Sequence, residues 1–387
     1  MPRLPATILA LALGLAGAAL AAPAAPVAPA QDPQAERRVA EAAGALADTA
    51  LVPPERGDTV VLPVLAYSPD TGLMLGGFAL RLFYLDPSAD GARPSSISPV
   101  VIYTLKNQWL VFLGTDLTWD EGRWHASLVP GYQKFPDDWY GLGRDTPTDP
   151  LESYTPEQFS GEGLIERKIL GELWLGLGYR VVKHQLLETA RGGVLAAGLP
   201  GTEKSVLSAP GLLAAWDTRD NTWAPRRGLW AQAGASFYRD GWGSDYRFDE
   251  HSADLRAYMP AGDRGTLAAQ VLFRSIDGTA PFYHLPRLGG QGGLRGYSGG
   301  RFLDRTMALV RAEWRSGPVW KRFGGVLFAG AGDVAPRPGA LTAAAGLTTF
   351  GLGLRWTVSP QEKVNIRMDF GFGKDDGGFF LSLGEVF

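Results

Sequence analysis

Cysteine is absent from all 387 residues, so neither disulfides nor thiolate chemistry is available to this chain. Histidine is scarce: only His125, His184, His251 and His284 occur, and no two stand at the i, i+4 spacing that puts two imidazoles on one metal. No metal or cofactor is therefore expected. The glycine-rich stretch from Gly289 to Gly300 follows neither GxGxxG nor GxxxxGK(S/T), which leaves nucleotide binding without support. Past residue 59 no apolar run approaches the roughly 18 residues of a helical membrane span. Net charge is only −3 and 45% of residues are hydrophobic, values that suit a soluble enzyme and a membrane protein equally, so pattern has to decide. No nucleic-acid partner is expected.

Glycine and aromatics are plentiful, with 51 Gly, 12 Trp, 12 Tyr and 18 Phe. Tight turns and interfacial aromatic girdles of membrane-spanning β-structure are one explanation. At the N-terminus, Arg3 precedes an apolar run from Ala6 to Leu20 that closes on Ala19-Leu20-Ala21, the pattern of a secretory signal peptide over residues 1 to 22. Residues 23 to 58 then read as an Ala/Pro-rich linker with a short helix near 34 to 47, started by Asp32-Pro33 and ended before Pro53-Pro54. That helix is either a surface tether or a plug for an interior.

From Thr59 to Phe387 the period is two. In Val364 to Phe370 the even positions are apolar while Asn365, Arg367 and Asp369 lie between them; Arg311, Glu313 and Arg315 likewise share one face. One face suits lipid and the other a wet lumen. Sixteen such segments are expected, at 59–67, 72–85, 97–105, 109–119, 123–132, 158–168, 172–182, 204–217, 228–238, 246–258, 265–274, 305–316, 322–331, 345–357, 362–371 and 379–387. The expected fold is all-β, a 16-stranded antiparallel transmembrane β-barrel over 59–387 with a short N-terminal helix. An even strand number leaves both barrel termini on the periplasmic side. The long connections 133–157, 183–203 and 275–304 then fall together on the outer side, with 86–96 an unusually long periplasmic turn.

The most informative stretch is Leu288-Gly289-Gly290-Gln291-Gly292-Gly293-Leu294-Arg295-Gly296-Tyr297 inside the connection 275–304. Its glycines allow a tight fold-back, and at the tip a lone cation adjoins an aromatic. Arg295 over a lumen lined by Glu313 and Asp369 has carboxylates to reach, which a guanidinium binds bidentately. Asp217, Arg219 and Asp220 read as capping groups of a tight periplasmic turn rather than a catalytic cluster. Trp216, Trp223 and Trp230 flank it as interface anchors, with a carbohydrate platform the alternative. Pro63 removes a ladder donor in the first strand and so weakens its pairing with the last, unless it merely sits at the strand's start, where pairing does not matter.

In order and spacing, Asp217-Thr218-Arg219-Asp220-Asn221 with Pro225 and Gly228, Leu294-Arg295-Gly296-Tyr297, Glu313-Trp314-Arg315, Leu327 to Gly330, Arg367 to Gly371 and the final Gly384-Glu385-Val386-Phe387 resemble the BamA/TamA-type outer-membrane superfamily, the bacterial surface antigen barrels. The resemblance implies that Arg295 pairs inside the barrel with Asp369, or less readily with Glu313. It also implies a seam between first and last strands, where Pro63, Gly384 and Phe387 lie, that opens toward the bilayer. Members normally carry periplasmic POTRA modules, for which residues 23 to 58 are too short, so insertase activity does not carry over directly. The expectation is a non-enzymatic protein of the Gram-negative outer membrane, inserting or translocating protein or lipid through that seam. Its expected partners are membrane lipid, a polypeptide or lipid client, and the barrel-assembly machinery through the strand ending at Phe387. The alternatives are a passive channel or structural surface barrel plugged by 275–304, and a hydrolase using His184 or His284 in outer loops.

Overall fold

The computed structural model describes residues 59–68, 72–85, 95–189, 193–195, 198–221, 224–343, 346–359, 364–383 and 385–387. The expected signal peptide, the linker with its helix at 34–47, Trp223 and Gly384 lie outside them.

The strands are β1 (Thr59–Ser68), β2 (Gly72–Phe83), β3 (Ser95–Thr104), β4 (Trp109–Trp119), β5 (Trp124–Lys134), β6 (Asp137–Trp139), β7 (Glu152–Leu170), β8 (Leu173–Glu188) and β9 (Ser205–Asp217). They continue with β10 (Gly228–Tyr238), β11 (Phe248–Ala261), β12 (Gly265–Gly278), β13 (Thr306–Arg315), β14 (Phe323–Ala335), β15 (Leu347–Ser359), β16 (Val364–Gly373) and β17 (Asp376–Leu383). Each pairs antiparallel with the next, except that β5 passes over β6 to pair with β7. Leaving out β6, a three-residue strand on the upper end of β7, the meander has the sixteen strands expected. Among the described residues no register links β1 to β17.

The alternation is inside-out relative to a soluble protein. On β13, Arg311, Glu313 and Arg315 are buried while Val310 and Trp314 are exposed; on β11, Glu250, Asp254 and Arg256 are buried while Leu255 and Met259 are exposed. An apolar exterior around a charged interior is the distribution of a barrel wall in lipid. β7 and β8, at 19 and 16 residues, are the longest strands of the sheet. Both outrun the expected limits, 158–168 and 172–182. Their outward face turns polar above Phe159, where Tyr132 and Gln185 both donate to Glu157, so hydrophobic alternation stops while the ladder continues.

The long connections cluster at one end and fold over it. Arg144 from the β6–β7 connection pairs with Asp333 at 3.0 Å, and Thr146 donates to the Arg301 carbonyl at 2.8 Å. Beneath them Trp139, Tyr154, Leu207, Tyr238, Phe248 and Phe282 form a buried apolar cluster.

Two expectations need correction. β17 ends at Leu383, and Phe387, 4% exposed, lies in the interior rather than closing the last strand. Glu385, the acid that interrupts the apolar face of 379–387, is drawn inward by Arg355 at 3.0 Å. Trp230 is not an interface anchor: it faces inward, 9% exposed, between Arg219 and Arg256, whose guanidinium carbons lie 5.6 and 4.3 Å from its ring centroid. Trp216, 44% exposed, does point outward.

Candidate functional site

The connection between β12 and β13 enters the barrel and is held there by its own hydrogen bonds. Leu288 N donates to Phe302 O at 3.0 Å, Leu294 N to Leu288 O at 2.6 Å, and Gly290 N to Tyr297 O at 2.9 Å. Leu288, Leu294, Tyr297 and Phe302 then pack on Leu309 of β13 and Val334 of β14. Two glycines are required for this close seating. Gly296 has φ +124°, and a Cβ there would lie 2.6 Å from the Phe372 carbonyl carbon. At Gly371 on β16 a Cβ would meet the Arg295 carbonyl oxygen at 2.5 Å.

The seating brings Arg295 to both acids at once. Its Nη1 donates to Asp369 of β16 and its Nη2 to Glu313 of β13, while the guanidinium carbon lies 3.7 Å from the Phe328 ring centroid. Arg295, Glu313 and Asp369 are 2%, 1% and 0% exposed. Burying such charges is costly unless every one is paired, and the wall supplies more partners. Asp369 also takes Arg355 Nη1 at 3.1 Å, Glu313 takes Arg315 Nε at 2.7 Å, and Glu385 takes Arg355 Nε at 3.0 Å. Tyr297 accepts from Lys374 N and donates to Thr348 O, each at 3.0 Å, which fixes the loop to β15 and to the turn after β16.

Other basic residues of the same connection add anchors. Arg287 pairs with Asp137 at 2.9 Å, Arg301 with Asp376 at 2.9 Å, and His284 with Glu250 at 3.0 Å. Burial works against the charge of Arg287, but Asp137 and Tyr154 outweigh it and raise its pKa. For His284 burial prevails, with Arg180 and Arg274 adding to it and Glu250 opposing, so its pKa falls below 6.5.

The turn residues Asp217, Arg219 and Asp220 stand apart from this site. Arg219 forks onto Asp217 at 2.9 and 2.7 Å, and Asp220 Oδ1 accepts from the backbone of Arg226 and Arg227 at 2.9 and 3.2 Å. Pro63 lies in mid-strand opposite Gly77 of β2, not at the start of β1. His184 is in β8 rather than a loop, buried and stacked 3.7 Å from the Tyr283 ring. Sequence reasoning missed Arg355 and Glu385. Arg355 shares the inward parity of Gly351 and Gly353, which was visible in the pattern.

The family model of the Omp85 superfamily domain matches residues 111–387. Among solved structures, the chain resembles BamA from Haemophilus ducreyi lacking POTRA domains 1–3 at 14% identity and a TM-score of 0.56, over 85% of this chain and 71% of that one. CdiB from Acinetobacter baumannii matches at 14% identity and a TM-score of 0.53, covering 84% of this chain and 59% of that one. CdiB from Escherichia coli matches at 10% and 0.56, covering 84% and 62%. The chain thus spans about three-fifths of the length of either CdiB. At such identities the likeness is one of fold. No curated protein sequence matches the chain.

Proposed function

The chain belongs to the Omp85 superfamily, and on that premise we propose that it is an outer-membrane barrel of a Gram-negative bacterium that inserts or translocates polypeptide or lipid through a weak seam between β1 and β17. The observation that carries this reading is the contrast around the sheet. Every other neighbouring pair of the sixteen-strand meander has a ladder, whereas none joins β1 to β17 among the described residues, and the chain leaves β17 for the interior after Leu383. A proline in mid-β1 fits the same weakness. The loop lock at Arg295 holds β13 and β16 together, so it would brace the wall beside a seam that opens. Export by the signal at 1–22, assembly by the cellular barrel machinery and Gly384 as part of the seam belong to this proposal.

The test is a strain lacking the gene, followed by outer-membrane proteomics and lipid-asymmetry assays. Depletion of particular barrel proteins or loss of asymmetry supports the reading; an unchanged membrane overturns it.

A second reading, a passive channel, is favoured by one feature. A cavity of about 120 Å³ is lined by Glu162, Arg180, Gln232, Ser252 and Arg274 among others. Large steady conductance of the intact protein in planar bilayers would favour it.

A further inference from the structure

The segment after β17 occupies a seat on the wall of β11, β12, β13 and β15, at the short-turn end of the barrel. Val386 and Phe387 are 2% and 4% exposed and pack on Tyr258 and Ala268. The guanidinium carbons of Arg311 and Arg315 lie 4.7 and 5.0 Å from the Phe387 ring centroid. Arg315 Nη2 donates to the Phe387 carbonyl at 2.8 Å. Two residues earlier, Glu385 takes Arg355 Nε and Asn365 Nδ2, each at 3.0 Å. The seat thus reads an acid, then an aromatic two positions on, then a main-chain oxygen.

Its present occupant does not satisfy it. Tyr258 Oη and Arg315 Nη1 have no hydrogen-bond partner among the described residues, although Tyr258 and Arg315 are only 3% and 5% exposed. Buried donors left unmade are unfavourable, so a segment with further acceptors would fill the seat better than Glu385–Phe387 does. No ladder holds these three residues, because the register of β17 stops at Leu383.

We propose that this arginine-lined wall is a binding site for an extended peptide segment carrying an acidic residue two positions before an aromatic one, held in the resting protein by the chain's own Glu385–Phe387. The proposal rests on the reading of the protein as one that handles polypeptide, and it names the kind of segment handled. A tethered occupant acts at an effective concentration on the order of millimolar. An added peptide therefore binds the wild type weakly and a tail-weakened variant tightly.

The probe is the peptide Ser-Leu-Gly-Glu-Val-Phe labelled with fluorescein at its N-terminus, titrated by anisotropy into the full chain in detergent micelles. Each variant is first checked for heat-modifiable migration. The Glu385→Gln/Phe387→Ala double variant should bind at least about ten-fold more tightly than the wild type, the scale expected when a tethered competitor is weakened. Adding Arg315→Ala should abolish that binding, and a peptide with Lys for Glu and Ser for Phe should not bind. A benzophenone replacing the peptide's aromatic ring should cross-link to the fragment containing residues 311–315, which needs no Arg315 variant to fold. Equal binding of the altered peptide, no gain in the double variant, or cross-links elsewhere overturn the proposal. If the peptide fails to bind while loss of the gene still depletes outer-membrane proteins, the site is wrong and the function stands. If it binds while the membrane is unchanged, the site stands and the function is wrong.

Discussion

Replacing Arg295 by Ala is the perturbation whose size the structure defines best. The side chain makes two charge-assisted hydrogen bonds, to Asp369 and Glu313, and lies over Phe328. Such bonds contribute about 1.5–3 kcal/mol each, and the ring contact about 0.5–2 kcal/mol. Neither acid is orphaned by the change, since Asp369 keeps Arg355 at 3.1 Å and Glu313 keeps Arg315 at 2.7 Å. The loss therefore falls at the low end of the sum, about 4 kcal/mol, or on the order of a thousand-fold in loop docking at ~1.4 kcal/mol per decade. It falls on the loop rather than the strand ladders, so the barrel should still form. Because the chain contains no cysteine, Leu294→Cys, at a position 0% exposed, reports docking through its labelling rate with a polar maleimide. In the Arg295→Ala background that rate should rise by at least two orders of magnitude. A change of less than two-fold in a correctly folded barrel would refute the lock.

Other substitutions probe the seating from different sides. Gly371→Ala places a methyl against the Arg295 carbonyl, and should expose the Leu294→Cys thiol as strongly as Arg295→Ala does without removing any charge. His284 has a pKa held below 6.5 by burial, so its neutral form stabilises the docked loop fully above about pH 6.5 and that contribution is lost as pH falls toward the lowered value. Loop protection should accordingly decline below pH 6.5 in the wild type and decline less in His284→Gln; identical profiles would show that the His284–Glu250 contact is not a latch. Deleting 288–298 removes the docked tip and should raise planar-bilayer conductance, while no increase would mean that the loop is not what closes the lumen.

The period-two pattern carried most of this fold because each inward position had to be polar and each outward one apolar. The opposed parity of Val310 and Arg311, or of Phe370 and Asp369, was enough to place strands and faces. Where the outer face no longer met lipid the signal failed, so the upper parts of β7 and β8 read as loop although their ladder continues. Arg295, Asp369 and Glu313 were legible as a set because opposite charges must meet in an interior. That Arg295 takes both acids was not, since it depends on how the loop sits on Gly371. Glu385 falls inside the expected strand 379–387, and in the fold it marks where the strand has already ended. Trp230 was misplaced because a tryptophan beside a turn fits an interface as well as a cleft between two arginines, and local sequence does not distinguish them.

On the proposed function, β1 and β17 must part for the protein to work. Cysteines are placed in pairs, one in 59–68 and one in 376–383, in a chain that has none of its own, and a pair that a reducible bifunctional maleimide links is carried forward. The joined protein is reconstituted in vesicles and offered an unfolded barrel protein whose insertion is followed by heat-modifiable migration. A control cross-link joins Ala214 to Ala233, which face each other in the β9–β10 ladder. The seam cross-link should reduce insertion to the rate of empty vesicles, reduction should restore it, and the control should have no effect. Insertion at an undiminished rate through a joined seam would show that the two strands need not part.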